Sequence, residues 1–128
     1  METYAYGFPR LGEKREFKKA TESFWKNEIS SDGLKKTLNK LEKDVLSLYD
    51  QFVDKHPIGE MSKYDKMLDT ACMLGVYKVE DFKKYYELCR GKNALELTKW
   101  FNTNYHYLVP DFSGLDDNFS FKHVNLLH

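Results

Sequence analysis

Leu34, Leu38, Leu41, Val45, Leu48 and Phe52 recur at alternating steps of four and three residues, separated mostly by charged and polar residues. That spacing draws one apolar seam along a helix of about six turns over 33–53, the longest element the chain predicts. Ser31 or Asp32 can cap its N-terminus. His56-Pro57-Ile58-Gly59 ends it and leads into a short strand. Upstream, Tyr4, Tyr6 and Phe8 alternate with smaller residues, a strand signal. Gly7, Pro9 and Gly12 then break the chain into a tight loop, and a helix follows over 13–27 with Phe17, Ala20, Phe24 and Trp25 on one face.

Downstream, Ser62 caps a third helix, with Asp65 three positions on as in a capping box. Its buried face is Tyr64, Met67, Leu68, Ala71 and Leu74, and Gly75 stops it. A fourth helix begins near Glu80, buries Phe82, Tyr85, Tyr86 and Cys89, and stops at Gly91. Residues 94–100 read as one or two further helical turns. Tyr105, Tyr107 and Val109 alternate as a strand closed by Pro110, and the tail from Asp111 is polar and turn-rich as far as Phe119, Phe121, Val124, Leu126 and Leu127. The pattern is α/β, mostly helical with about three short strands. A self-contained parallel sheet has more, so the chain reads as part of a larger fold.

Composition narrows the function. The 128 residues make about one domain, and 41% hydrophobic with 31% charged residues excludes global disorder. The 16% aromatic share requires many rings to be buried. Twenty basic and twenty acidic side chains cancel, which removes the cationic excess of a general nucleic-acid binder. The longest apolar run, Ala71-Cys72-Met73-Leu74-Gly75-Val76-Tyr77, is far short of the roughly 20 residues of a membrane span. The N-terminus has neither the basic nor the apolar region of a signal peptide. The expectation is a cytoplasmic protein without membrane or nucleic-acid partners. Asn118-Phe119-Ser120 fits a glycosylation sequon but has no secretory route to act in.

Cys72 and Cys89 are too few for a disulfide framework, and neither has a second ligand at zinc spacing among His56, His106, His123 and His128. They read as small buried thiols on helix faces. His106, between two tyrosines, reads as a packed strand residue rather than a base. No Gly-rich phosphate loop and no nucleophile motif is present. The residues therefore assign neither a catalytic side chain nor a metal ligand. One cluster breaks a local rule. Lys14, Arg15, Lys18 and Lys19 crowd the start of the first helix, where cations oppose the helix dipole, and Glu13 and Glu16 offset them only in part. Arg15, Lys18 and Lys19 are spaced to share one face. A glycine loop feeding a cationic helix N-terminus is an anion site in one reading and a basic solvent face in the other. Physics alone favours the solvent face.

The residues themselves carry a resemblance. Tyr6-Gly7-Phe8-Pro9-Arg10-Leu11-Gly12, Lys14-Arg15-Glu16-Phe17-Lys18-Lys19-Ala20 and Glu22-Ser23-Phe24-Trp25-Lys26 resemble the opening of cobalamin-independent methionine synthase. So do Pro57-Ile58-Gly59-Glu60 and Tyr64-Asp65-Lys66-Met67-Leu68-Asp69-Thr70-Ala71. The most specific match is Ala94-Leu95-Glu96-Leu97-Thr98-Lys99-Trp100-Phe101-Asn102-Thr103-Asn104-Tyr105-His106-Tyr107-Leu108-Val109-Pro110. The blocks run in family order over residues 6–121.

The resemblance implies methyl transfer from 5-methyltetrahydropteroyl-oligoglutamate, such as the triglutamate, to homocysteine, giving methionine. It implies two (βα)₈ barrels, with a zinc ion in the C-terminal barrel that activates the homocysteine thiol and has no ligands in this chain. The N-terminal barrel helps to hold the folate and its glutamate tail. By motif, the folate contacts fall on Arg15, Glu16, Phe17 and Lys18, and on Lys99 of Thr98-Lys99-Trp100-Phe101. An oligoglutamate tail is a polyanion, which raises the anion-site reading of the first helix.

Departures are Phe17 where the family usually has Leu, Ile58-Gly59-Glu60-Met61 for Val-Gly-Asp-Phe, and a short connection after Arg90-Gly91. The longer Glu60 carboxylate is expected to alter a loop contact near the folate. A (βα)₈ barrel takes about 250 residues, so residues 1–128 correspond to the N-terminal part of the first barrel, a partial TIM barrel left unclosed. The expected role is folate-tail binding without catalytic competence alone and without a cofactor of its own. The alternative is a non-catalytic helical module that docks a partner, the missing C-terminal barrel or a second copy, through its unclosed face.

Overall fold

A ten-residue helix and a 22-residue helix form the frame of the first half of the chain: α1, Glu16–Trp25, and α2, Ser31–Phe52. The computed structural model describes residues 1–57 and 59–114. They form two compact units that meet in sequence between Met61 and Ser62.

In the first unit, Phe17, Ala20 and Thr21 of α1 and Leu34, Leu38 and Leu41 of α2 are buried. Thr21 donates its hydroxyl to the Phe17 carbonyl at 2.7 Å, which satisfies it within the core. Ser30, rather than Ser31 or Asp32, caps α2 by accepting from the Gly33 N–H. The apolar seam is buried only over its first half. Val45 is half-buried, Leu48 is 50% exposed and Phe52 74%. The reason is length: α1 covers about 15 Å of a helix about 33 Å long. Helix α1 also starts three residues later than the 13–27 expectation, because Arg15 takes a left-handed conformation in front of it. The alternation at Tyr4, Tyr6 and Phe8 yields a single parallel bridge, Tyr4 to Lys55, with the Ala5 N–H donating to the Lys55 carbonyl at 3.0 Å. The strand expected after His56 does not form over the described residues there, and Ile58 lies outside them.

The second unit holds α3, Lys66–Met73, α4, Phe82–Cys89, and a hairpin of β1, Glu96–Lys99, with β2, His106–Val109. The strands are antiparallel, with Leu97 opposite Leu108 and Lys99 opposite His106. The 94–100 segment is thus a strand and not helical turns. Seven residues are too few to sustain a helix on their own, whereas a β-prone partner across the 100–105 loop supplies a ladder. Leu68, Ala71, Cys72, Phe82, Tyr85, Tyr86, Cys89 and Leu108 form the core. The ring of Tyr86 meets those of Tyr85, Phe82 and Tyr64 edge-on at 5.2, 6.1 and 6.3 Å. Met67, expected inside, is 45% exposed, and Cys72 takes its place on the buried face. Asp65, not Ser62, caps α3. Its Oδ1 accepts from the Leu68 N–H at 3.0 Å and its Oδ2 from the Leu108 N–H at 3.2 Å, so one buried carboxylate joins α3 to β2. The sequon and the apolar residues of the tail lie outside the described residues.

Both cysteines are free and buried, as packed thiols should be. Burial, and then the nearby Asp69 carboxylate, push the Cys72 thiol up to about 12 and raise Cys89 in the same way. Burial followed by the Asp69 charge also lifts the Tyr85 hydroxyl well above its usual value. Raised folded-state values mean that the unfolded chain releases these protons first. Their stabilising contribution is therefore complete below about pH 9 and declines above it, by about 1.4 kcal/mol per pH unit for each group still protonated in the fold. Urea unfolding followed at about pH 8 and 10.5 should show this decline, with a shallower slope in Cys72→Ala. In the folded chain both thiols should resist a thiol reagent until the second unit opens.

Candidate functional site

The loop at 7–15 and the first turn of α1 form one pre-shaped junction. Gly7, at φ +92°, is held by two side chains distant in sequence: its N–H donates to Glu60 Oε1 at 3.0 Å, and its carbonyl accepts from the Tyr49 hydroxyl. Phe8 meets the Tyr49 ring edge-on at 6.3 Å. The Arg10 guanidinium lies 5.0 Å from the centre of the Phe17 ring, a cation–π contact. The Gly12 carbonyl accepts from the Arg15 N–H and the Leu11 carbonyl from the Phe17 N–H, both at 3.1 Å. Gly12 is required by its backbone conformation, and a side chain there would also displace its neighbours. Its φ is +80°, and a Cβ there would stand 2.3 Å from Glu16 Oε2 and 2.9 Å from Leu41 Cδ2.

Arg15 occupies the N-cap position at φ +61° with no side-chain cap. A non-glycine residue in that region costs about 1–2 kcal/mol, and no capping hydrogen bond from the Arg15 side chain offsets it. Its side chain has no ion pair among the described residues. Because Arg15 precedes the helix, only Lys18 and Lys19 of the expected three-residue face are helical. Lys18 is engaged with Glu22 at 3.6 Å, both half in solvent, which is a weak pair. Glu16 is held below the ordinary carboxylate range, first by its own N–H, then by the Lys14 N–H and the charges of Lys14 and Lys19. Its Oε2 accepts from the Lys14 N–H at 2.9 Å, so this acid closes the loop on the helix. Phe17 is buried in the first unit's core.

Lys99 belongs to the second unit, exposed at the end of β1 beside Trp100. Trp100 contacts the Tyr107 ring at 5.8 Å and the Phe101 ring at 5.1 Å. Of the expected site residues, Arg15, Glu16, Phe17 and Lys18 thus share one junction, while Lys99 stands on the hairpin. Tyr49 was invisible to sequence reasoning because it lies off the apolar seam. Glu60 had a signal, its departure from the family's aspartate, and it does contact the loop. Among the described residues no three His, Cys, Asp or Glu side chains gather as a ligand set, and the buried, raised thiols disfavour thiolate. These residues do not fit a zinc site. No described helix is long and apolar enough to cross a membrane.

Four helices and a two-stranded hairpin, with a cationic loop–helix junction before α1, define a small partial α/β fold. Comparison with known proteins gives the family. The profile of the cobalamin-independent synthase N-terminal domain matches residues 2–128. A 5-methyltetrahydropteroyltriglutamate–homocysteine methyltransferase of Thermotoga petrophila is 49% identical over 119 residues, which is 89% of this chain and 16% of that protein. Proteins of the same name from Thermotoga maritima and Herpetosiphon aurantiacus are 47% and 42% identical, each over 87% of this chain and 16% of their own length. The chain belongs to the cobalamin-independent methionine synthase family, N-terminal domain. It spans about one sixth of the length of these curated relatives.

Proposed function

We propose that the chain supplies folate-tail contacts to a methyltransferase that moves a methyl group from 5-methyltetrahydropteroyl-triglutamate to homocysteine, and that it makes no methionine alone. The observation that carries this reading is Arg15. A cation stands in a strained left-handed cap, without an ion pair among the described residues, on a loop clamped at Gly7. Strain retained by a well-anchored loop is typical of functional positions. In this reading Arg15, Lys18 and Lys99 meet carboxylates of the tail, Glu16 holds the loop shut, and the Phe17 ring anchors the helix from below. The chemistry needs zinc bound elsewhere in the enzyme, where a metal thiolate stays nucleophilic at neutral pH; the enzyme acts in the cytoplasm. The chain is the opening portion of a (βα)₈ barrel. The parallel Tyr4–Lys55 bridge, joined through α1 and α2, supports this because parallel neighbours need such a crossover.

Titration with folate mono- and triglutamates at low and high salt tests the reading. The triglutamate should bind more tightly, salt should erase the difference, and Arg15→Ala or Lys99→Ala should do the same. Each contact is worth about 0.2–1 kcal/mol where exposed. Lys18→Ala should cost less than Arg15→Ala, because Glu22 already competes for that lysine. Equal binding of both ligands by the wild type overturns the reading. A second reading, a helical interaction module, is favoured by exposed apolar residues in both units: Leu48 and Phe52, and Leu97 and Phe101 at 59% and 80%. Concentration-dependent sedimentation of the chain alone would support it.

A further inference from the structure

The hairpin pairs two basic side chains. Lys99 and His106 are register partners, so they project from the same face of the ladder, with Cβ atoms about 4.5–5.5 Å apart, as cross-strand partners are. Both are exposed. The expectation of a packed histidine at 106 fails for a simple reason: Leu108 takes the buried position of β2, and His106 lies beyond it toward the loop. The imidazole is held locally. Nδ1 lies 2.9 Å from the Asn104 carbonyl, so Nδ1 carries the donated proton. In the neutral ring Nε2 is then a bare acceptor with no partner among the described residues. Protonation turns it into a charged donor beside Lys99.

Among the described residues neither Lys99 nor His106 forms an ion pair. Glu96 of β1 projects from the opposite face, three residues from Lys99. Helix α3, which packs on β2, brings Asp65, Lys66 and Asp69. Asp65 accepts from the Leu68 and Leu108 N–H groups, Asp69 accepts from the Lys63 N–H and the Tyr85 hydroxyl, and Lys66 is itself a cation. Two like charges opposite one another are unfavourable until an anion joins them.

We propose that His106 is a binding residue of the folate tail: with Lys99 it clasps a carboxylate of the oligoglutamate, and it does so only when protonated. The proposal rests on the folate-tail reading and deepens it, because it makes recognition of the longer tail pH-dependent. The tail carboxylates stay largely ionised down to about pH 5.5, so a pH response between 8 and 5.5 comes from the protein, and His106→Gln tells whether His106 among the four histidines carries it.

The experiment is titration of the chain with folate tri- and monoglutamate at about pH 8 and 5.5, low salt, in wild type, His106→Gln and Lys99→Ala. Wild type should gain about three- to fivefold in triglutamate affinity at the lower pH, the size of one exposed ion pair, with little gain for the monoglutamate. His106→Gln should hold the pH 8 affinity at both values. Lys99→Ala should bind more weakly at both. In wild type the His106 imidazole resonances should titrate at higher pH once triglutamate is added; this measurement needs no variant. A wild-type pH response in His106→Gln, or an unmoved imidazole titration, overturns the proposal while leaving the folate-tail reading intact wherever Lys99→Ala still weakens binding. If the wild type does not distinguish tri- from monoglutamate, both fall.

Discussion

Leu38→Asp should unfold the first unit, whereas Leu48→Asp, ten residues along the same apolar seam, should leave it folded. Leu38 has no exposed surface, and Leu48 is half in solvent. At Leu38 a carboxylate would lose the leucine's packing and face apolar neighbours without a partner. The combined cost is at least about 4 kcal/mol, comparable with the whole stability of a small domain. At Leu48 the new charge reaches water, and the cost should stay within about 1 kcal/mol. Leu41, only 7% exposed, belongs with Leu38. Helical circular dichroism and hydrogen exchange over Ser31–Phe52 would separate the outcomes. Equal tolerance of both changes would mean that α1 does not cover the seam as described.

Asp65→Ala is the second large effect, in the other unit. The substitution removes the α3 cap, worth about 0.5–2 kcal/mol. It also leaves the Leu108 N–H buried without an acceptor, at a further 1–3 kcal/mol or so. A loss of about 3 kcal/mol is expected by urea denaturation. Asp65→Asn keeps one carbonyl oxygen and can satisfy only one of the two N–H groups, so it should fall about midway. The hydrogen-exchange signature is specific: the Leu108 amide should lose protection more than the other amides of His106–Val109. A stability loss without that local change would show that the cap alone matters.

Helix positions follow from spacing that any chain of this pattern obeys. The four–three recurrence from Leu34 gave α2 nearly to the residue, and the glycines at 75 and 91 marked where α3 and α4 had to stop. The aromatic load is absorbed only in part: Phe17, Phe82, Tyr85 and Tyr86 are buried, whereas Tyr6, Phe52 and Phe101 stand mostly in solvent. The motif blocks over the first loop and the hairpin were enough to name the family, because an ordered run of matches carries more information than any single residue's chemistry.

What only tertiary structure decided is who covers what. Periodicity says which residues share a face but not how far a neighbour extends along it, so the exposed end of the α2 seam follows from the shortness of α1. Local signals place the α3 cap at Ser62, but the helix starts at Lys66 and Asp65 caps it, while its second oxygen accepts from β2. Residues 94–100 carried a helical local preference, and pairing with His106–Val109 overrode it. The same holds at the site. The sequence alone supplied the cations Arg15, Lys18 and Lys99, since charge is a property of each residue. Arg15's left-handed cap, the Glu22 partner of Lys18 and the place of His106 across from Lys99 depend on backbone geometry and on residues brought together by pairing, which no spacing along the chain records.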